Sequence, residues 1–274
     1  MEVCVSAWSL QKKLFSGEMT VCDFIKLCND NGVKNVELLF CFWNEKNTIE
    51  DAEALLSKLN MKVAAYSVGN DFVQNDEYTR KRELESVKEG IDIAYRLNTK
   101  LVRVFSGNTK EDVSFDTARE WIVECFKEAA AYAEEKGVVM VLENHGLFAG
   151  KSIQVKELIE EVGSKYLRAN TDLGNFLLVG EDSLDAVKTL KNYVGFVHFK
   201  DFIKVSSSES GYIAVDGTKY QGTILGKGQV PMKEVVDFLY DNGYTGYLSI
   251  EYEGEGDPAT ETIESIEYTK SIIK

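Results

Sequence analysis

No apolar stretch in the chain approaches the roughly 20 residues that a membrane-spanning helix needs, so a membrane partner is not expected. The opening residues MEVCVSAWSLQ lack a basic region followed by a long apolar run, and no signal peptide is expected. Cysteines are few: Cys4, Cys22, Cys28, Cys41 and Cys125. Their count is odd, and no pair has zinc-knuckle or CxxC spacing. Most sit in apolar or periodic segments, as small core residues of a reduced cytoplasmic protein do. Positive charge is short as well, with a formal net charge of −14. A nucleic-acid binder replaces phosphate counterions with Lys and Arg, so DNA and RNA are not expected partners. Linkers, low-complexity tracts and breaks in composition are also missing, so one domain covering residues 1–274 is expected.

The 274 residues are 44% hydrophobic and 28% charged, an ordinary globular composition. The length suits one eight-fold α/β barrel with a large core. Eight β-rich runs stand out: Val3–Ser6, Asn35–Phe40, Val63–Val68, Leu101–Phe105, Val138–Glu143, Arg168–Asp172, Gly195–Phe199 and Tyr247–Tyr252. Several, such as VVMVLE, are near-continuous apolar runs, as strands buried on both faces are. Helical patterns separate them. Thr20 with Asp23 resembles a capping box ahead of VCDFIKLCNDNG, and NTIEDAEALLSKLN, FDTAREWIVECFKEAAAYAEEKG and VPMKEVVDFLYDNG are further helices. Strand–helix alternation from end to end implies a parallel sheet, and eight units point to a closed (β/α)₈ barrel. An open doubly wound sheet is the alternative, but its first turn is usually rich in glycine, and SAWSLQ has none. One connection is long. IKVSSSESGYIAVDGTKYQGTILGKGQ, rich in Gly, Ser and Tyr, is expected as a loop on the C-terminal face of the barrel.

Both histidines, His145 and His198, fall at C-terminal strand ends, on the face where barrel side chains reach substrate. VVMVLENHG puts Glu143 at the end of the fifth strand, and RANTDLGN puts Asp172 at the end of the sixth. FVHFKD sets His198 on the seventh, and LSIEYEG sets Glu251 on the eighth. A buried carboxylate without a partner costs several kcal/mol, on the order of the effective desolvation penalty of one ion. Four such residues on adjacent strands can meet at the barrel mouth around one divalent cation. The competing reading pairs these carboxylates with Arg103 or Lys200. Oxygen and imidazole donors suit Mn²⁺, Mg²⁺, Co²⁺ or Zn²⁺, and the sequence does not choose among them.

The segments LENHG, DLGN, VHFKD and LGKGQVPMKEVVDFLYDNGYTGYLSIEYEG resemble the sugar phosphate isomerase/epimerase family with the xylose isomerase-like TIM barrel, over nearly the whole chain. The resemblance implies a metal held by Glu143, Asp172, His198 and Glu251. It implies an isomerase or epimerase of a small sugar-like ketone, working by proton transfer through a metal-stabilised enediolate, with Glu143 and Glu251 as the catalytic acid and base. Dehydration of an inosose or of 3-dehydroshikimate starts with the same proton removal and is the alternative on this scaffold. The related abasic-site endonucleases use a three-metal cluster with several histidines, which two histidines and an acidic chain disfavour. A non-catalytic sugar-binding barrel is a further alternative. Family members often form dimers or tetramers, so a homo-oligomer is compatible with the resemblance.

Many epimerases of the family place a histidine three residues after the metal-binding Asp, where this chain has Asn175. Asn donates and accepts hydrogen bonds but carries no proton near neutral pH. His145 could supply an imidazole instead, or stand at the surface. Glu37 on the second strand and Arg103 on the fourth are candidates to bind substrate, or to pair within the barrel. Lys200 follows His198, so strict alternation turns it away from the metal, yet strand ends often break alternation. It is kept as a contact for a hydroxyl or phosphate. Trp8, Phe40, Trp43 and Phe72 follow early strands and could wall a pocket or pack in the core. GKG at 226–228 is too short to mark a nucleotide site.

Overall fold

The computed structural model describes residues 1–274. Seven consecutive parallel strands come first: β1 (Glu2–Ser6), β2 (Asn35–Leu39), β3 (Lys62–Ser67), β4 (Leu101–Val104), β5 (Val139–Glu143), β6 (Leu167–Asp172) and β7 (Val194–Phe199). Three short strands follow, β8 (Asp201–Lys204), β9 (Tyr212–Ile213) and β10 (Lys219–Thr223), then β11 (Tyr247–Ile250). β11 pairs with both β7 and β1, and this closes an eight-stranded parallel barrel. The eight apolar runs all became barrel strands, with ends shifted by a residue or two.

Helices wrap the outside: α1 (Gln11–Ser16), α2 (Val21–Asp30), α3 (Ile49–Leu59), α4 (Glu77–Arg96), α5 (Phe115–Lys136), α6 (Ser152–Val162), α7 (Asn175–Leu178), α8 (Ser183–Leu190), α9 (Met232–Asp241) and α10 (Pro258–Ile272). The capping box is present. Asp23 N–H donates to Thr20 Oγ1 at 3.1 Å, and Thr20 N–H donates to Asp23 Oδ2 at 3.2 Å. Thr48, Asp76, Ser114, Asp182 and Asp257 cap α3, α4, α5, α8 and α10 with the N-cap half of this motif alone, each accepting from an amide that the first turn leaves free. No helix is long and apolar enough to cross a membrane.

The main core joins 64 buried residues between barrel and helices. A separate small cluster, Cys4, Ala64, Ala65, Val141 and Phe196, packs with Leu101 and Tyr247. Val141 and Phe196 lie two residues before Glu143 and His198, so alternation puts each pair on one face. The barrel interior is therefore apolar below and polar at its C-terminal mouth.

The long connection after β7 is not a plain loop. β8, β10 and β9 form a three-stranded antiparallel sheet over a small core of Phe202, Ala214 and Tyr220. Its base is held by Asp201. The carboxylate accepts from the N–H groups of Phe202, Gly226, Gly228 and Val230 at 2.9–3.0 Å.

Candidate active site

Strand register brings the polar residues to one height. Asp172 on β6 lies beside His198 on β7, and His198 lies beside Ser249 on β11. Glu143 ends β5, and Glu251 follows the last residue of β11. The donor atoms of Glu143, Asp172, His198 and Glu251 all fall within 4.8 Å of one another, and all four residues are buried. His198 Nδ1 is 3.4 Å from Glu143 Oε2, 3.5 Å from Glu251 Oε2 and 3.8 Å from Asp172 Oδ2. Bonds of about 2.1 Å to one divalent ion would set neighbouring donors roughly 3–3.4 Å apart, so a small contraction brings them into place. Although wholly buried, His198 Nδ1 has no hydrogen-bond partner and faces the three carboxylates, where a cation would sit. The four residues fit a divalent ion.

Three asparagines lock this arrangement. Asn144 donates to Asp172 O at 2.9 Å and accepts from Asp172 N–H at 2.6 Å, which ties β5 to β6. Asn170 donates to Glu143 Oε2 at 3.4 Å. Asn175 donates to Glu143 Oε1 at 3.2 Å, and its own N–H reaches Asp172 Oδ1 at 2.9 Å. Asn144 and Asn170 escaped the sequence reading. Asn170 was detectable, since it lies two residues before Asp172 on one strand and shares its face.

Two cations neighbour the carboxylates, as the competing reading required. Arg103 Nε is 3.2 Å from Glu143 Oε2, and its guanidinium stacks 3.9 Å from the centre of the Phe105 ring. Lys200 Nζ is 2.6 Å from Glu251 Oε2, 2.9 Å from Asp172 Oδ2 and 3.5 Å from Glu253 Oε2. β7 stops at Phe199, so Lys200 is free of strand alternation and turns to the same side as His198. Burial works to raise Asp172, but Lys200 and His198 hold it well below the usual carboxylate range. Burial dominates at Glu251, helped by Glu143 and Glu253, and pushes it up to about 8 against the pull of Lys200 and His198. Lys200 would be lowered by burial, yet Asp172, Glu251 and Glu253 hold it well above its ordinary value.

Above the cluster lies a cavity of about 320 Å³. Arg103, Glu143, His145, Lys200, Glu251 and Glu253 give it a polar floor, and Trp8, Phe15, Phe40 and Phe105 wall it. His145 is exposed, with its ring 4.8 Å from that of Phe105. Trp8 Nε1 donates to Glu253 Oε1 at 2.6 Å. Glu253 is a site carboxylate that the sequence reading did not single out, although it lies two residues beyond Glu251. Trp43 and Phe72 do not wall the cavity. Trp43 donates to Tyr66 Oη at 3.1 Å, and Phe72 packs edge-on against Phe126. Glu37 lies behind His198, fully buried and away from the cavity. A cavity of about 360 Å³ opens at the opposite barrel end near Met61, Asn98 and Tyr247. It holds no comparable acid–base cluster, and its Arg96 is engaged by Glu50 and Glu53.

The sequence model of the xylose isomerase-like TIM barrel matches residues 25–272. The chain belongs to the xylose isomerase-like TIM barrel family. It spans about half the length of the curated relatives it matches. One, an inosose dehydratase of Clostridium perfringens, is 30% identical over 150 residues, 51% of this chain and 49% of the relative. Among solved structures, the probable 3-DHS dehydratase AsbF of Bacillus anthracis has a TM-score of 0.78 at 18% identity, covering 98% of this chain and 99% of that one. The IOLI protein with a bound zinc atom has a TM-score of 0.79 at 16% identity, covering 98% and 96%. At these identities the structural likeness establishes the fold.

Proposed function

We propose that the chain is an enzyme that removes a proton beside the carbonyl of a small polyhydroxylated ketone and then expels a hydroxyl as water. Glu143, Asp172, His198 and Glu251 would hold one divalent cation, Mn²⁺, Mg²⁺, Co²⁺ or Zn²⁺. When bound, such an ion polarises a carbonyl or hydroxyl oxygen as a Lewis acid. The observation that carries the reading is that Glu143, Glu251 and the Lys200 ammonium share the floor of one cavity.

In this reading a carboxylate, Glu143 or Glu251, takes the C–H proton while the C–O bond one carbon further breaks. The electron pair of the C–H bond becomes the new C=C bond. The departing oxygen collects a proton from the Lys200–Glu251 pair, whose heavy atoms are 2.6 Å apart, and leaves as water. The aromatic walls exclude bulk water and offer a flat apolar face to the C–H side of a ring. Dehydratase names among the relatives favour elimination, and Asn175 in the place of an epimerase histidine points the same way. An isomerase or epimerase remains the second reading, because Glu143 and Glu251 together could remove and return one proton.

Incubation with an inosose, 3-dehydroshikimate and a panel of ketoses in D₂O with added Mn²⁺ separates the readings. Loss of one water from the product supports the dehydratase. Deuterium uptake without that loss supports the isomerase or epimerase. Neither change with any of these compounds argues against both.

A further inference from the structure

Glu37 does not line the cavity, yet three side chains engage its carboxylate. Oε1 accepts from Ser67 Oγ at 2.5 Å and lies 3.1 Å from His198 Nε2, while Oε2 accepts from Ser249 Oγ at 2.7 Å. All four side chains are 0% exposed, so the network is closed to bulk solvent. An ionised carboxylate accepts hydrogen bonds and donates none. The nitrogen facing it must therefore carry the hydrogen. A neutral imidazole has one N–H, and with that on Nε2 the lone pair lies on Nδ1. Nδ1 is the nitrogen that faces Glu143, Asp172 and Glu251 and that lacks any hydrogen-bond partner.

We propose that Glu37, itself fixed by Ser67 and Ser249, is a positioning residue that holds His198 as the Nε2–H tautomer with Nδ1 turned to the cation. The assignment rests on the reading that His198 and its three carboxylates bind a divalent ion. Ligating histidines commonly hold their second nitrogen on such a carboxylate, and loss of the partner weakens metal binding about 10–100-fold. An ion pair that served only the fold would leave metal affinity unchanged.

The test uses the full metal-stripped chain titrated with Zn²⁺ by calorimetry, together with nitrogen-15 spectra of the histidine rings in the zinc-loaded protein. Only two rings contribute, and that of His145 is exposed, so a slowly exchanging Nε2–H belongs to His198. In Glu37→Ala, zinc affinity should fall about 10–100-fold and the protected Nε2–H signal should vanish. Glu37→Gln keeps an acceptor oxygen and should lose less. If Glu37→Ala does not unfold cooperatively, the Ser67→Ala/Ser249→Ala double variant decides, because it frees the carboxylate without removing it. Weaker zinc binding there supports the proposal. Parental affinity and a protected signal in whichever variant is folded overturn the proposal and leave the metal reading standing. A parent chain that takes up no zinc overturns the metal reading and the proposal together.

Discussion

Lys200 Nζ and Glu251 Oε2 stand 2.6 Å apart, with 5% and 6% of their side chains exposed. The same ammonium reaches Asp172, so one cation offsets two carboxylates of the proposed metal site. Removing one partner of a buried pair leaves an uncompensated charge, at a cost of about 3–5 kcal/mol. Lys200→Met should therefore lose about that much stability in urea unfolding of the metal-stripped chain. Added Mn²⁺ should recover part of it, since an ion bound only by the folded state stabilises it. Parent-like stability of the variant without metal would count against this account of the site.

Metal uptake should release protons. In the metal-free chain burial works to lower His198, but Glu37, Glu251 and Glu143 hold it well above its ordinary 6.5. Glu251 is pushed up to about 8, mainly by burial. Both groups therefore carry protons near neutrality and must shed them to present lone pairs. The sign follows: affinity for a divalent ion rises as pH increases toward about 8 and falls on acidification. Titrations at one pH in two buffers of different ionisation enthalpy should give different heats. Equal heats would show that no proton leaves.

Glu143→Gln and Glu251→Gln keep side-chain shape and remove proton-carrying capacity. Each should cut turnover by about 10²–10⁴-fold or more, with circular dichroism and cooperative unfolding retained. If the two act as a unit, the double variant should be little worse than the poorer single one. Full turnover by Glu251→Gln would end its role as acid or base.

Much of this was legible in the sequence because the physics acts locally. A parallel barrel buries both strand faces, so runs such as VVMVLE announce their strands, and a carboxylate at the end of such a run has few reasons to be there. Glu143, Asp172, His198 and Glu251 were found on that ground. What stayed hidden depends on distance in the chain. The partner of His198 is Glu37, 161 positions away, and nothing local to NVELLF separates a carboxylate beneath an imidazole from one facing substrate. Lys200 was ambiguous because alternation lapses where β7 stops. The sheet of β8, β9 and β10 was hidden by its two-residue β9 and by the glycines and serines around it. Its stability comes from Phe202, Ala214 and Tyr220 meeting across the excursion.

Two glycines should differ in their response to alanine, because different neighbours await the added methyl group. At Gly69 it would meet Phe40 Cζ at 2.4 Å, and at Gly228 it would meet Asp201 Oδ1 at 2.1 Å. Neither glycine has a positive φ, so the backbone accepts alanine and the neighbour decides the outcome. Phe40 is 47% exposed and can swing away. Gly69→Ala should leave stability within about 0.5 kcal/mol. Phe40 also walls the cavity, so the same change should move KM several-fold while kcat changes less. Asp201 cannot swing without dropping the backbone N–H groups of Phe202, Gly226, Gly228 and Val230. Gly228→Ala should therefore cost about 1–3 kcal/mol, since the buried N–H groups of Phe202 and Val230 are left unpaired. Urea unfolding and steady-state kinetics on both variants check the contrast. A stable Gly228→Ala, or an unchanged KM in Gly69→Ala, would show that the corresponding neighbour yields differently from this account.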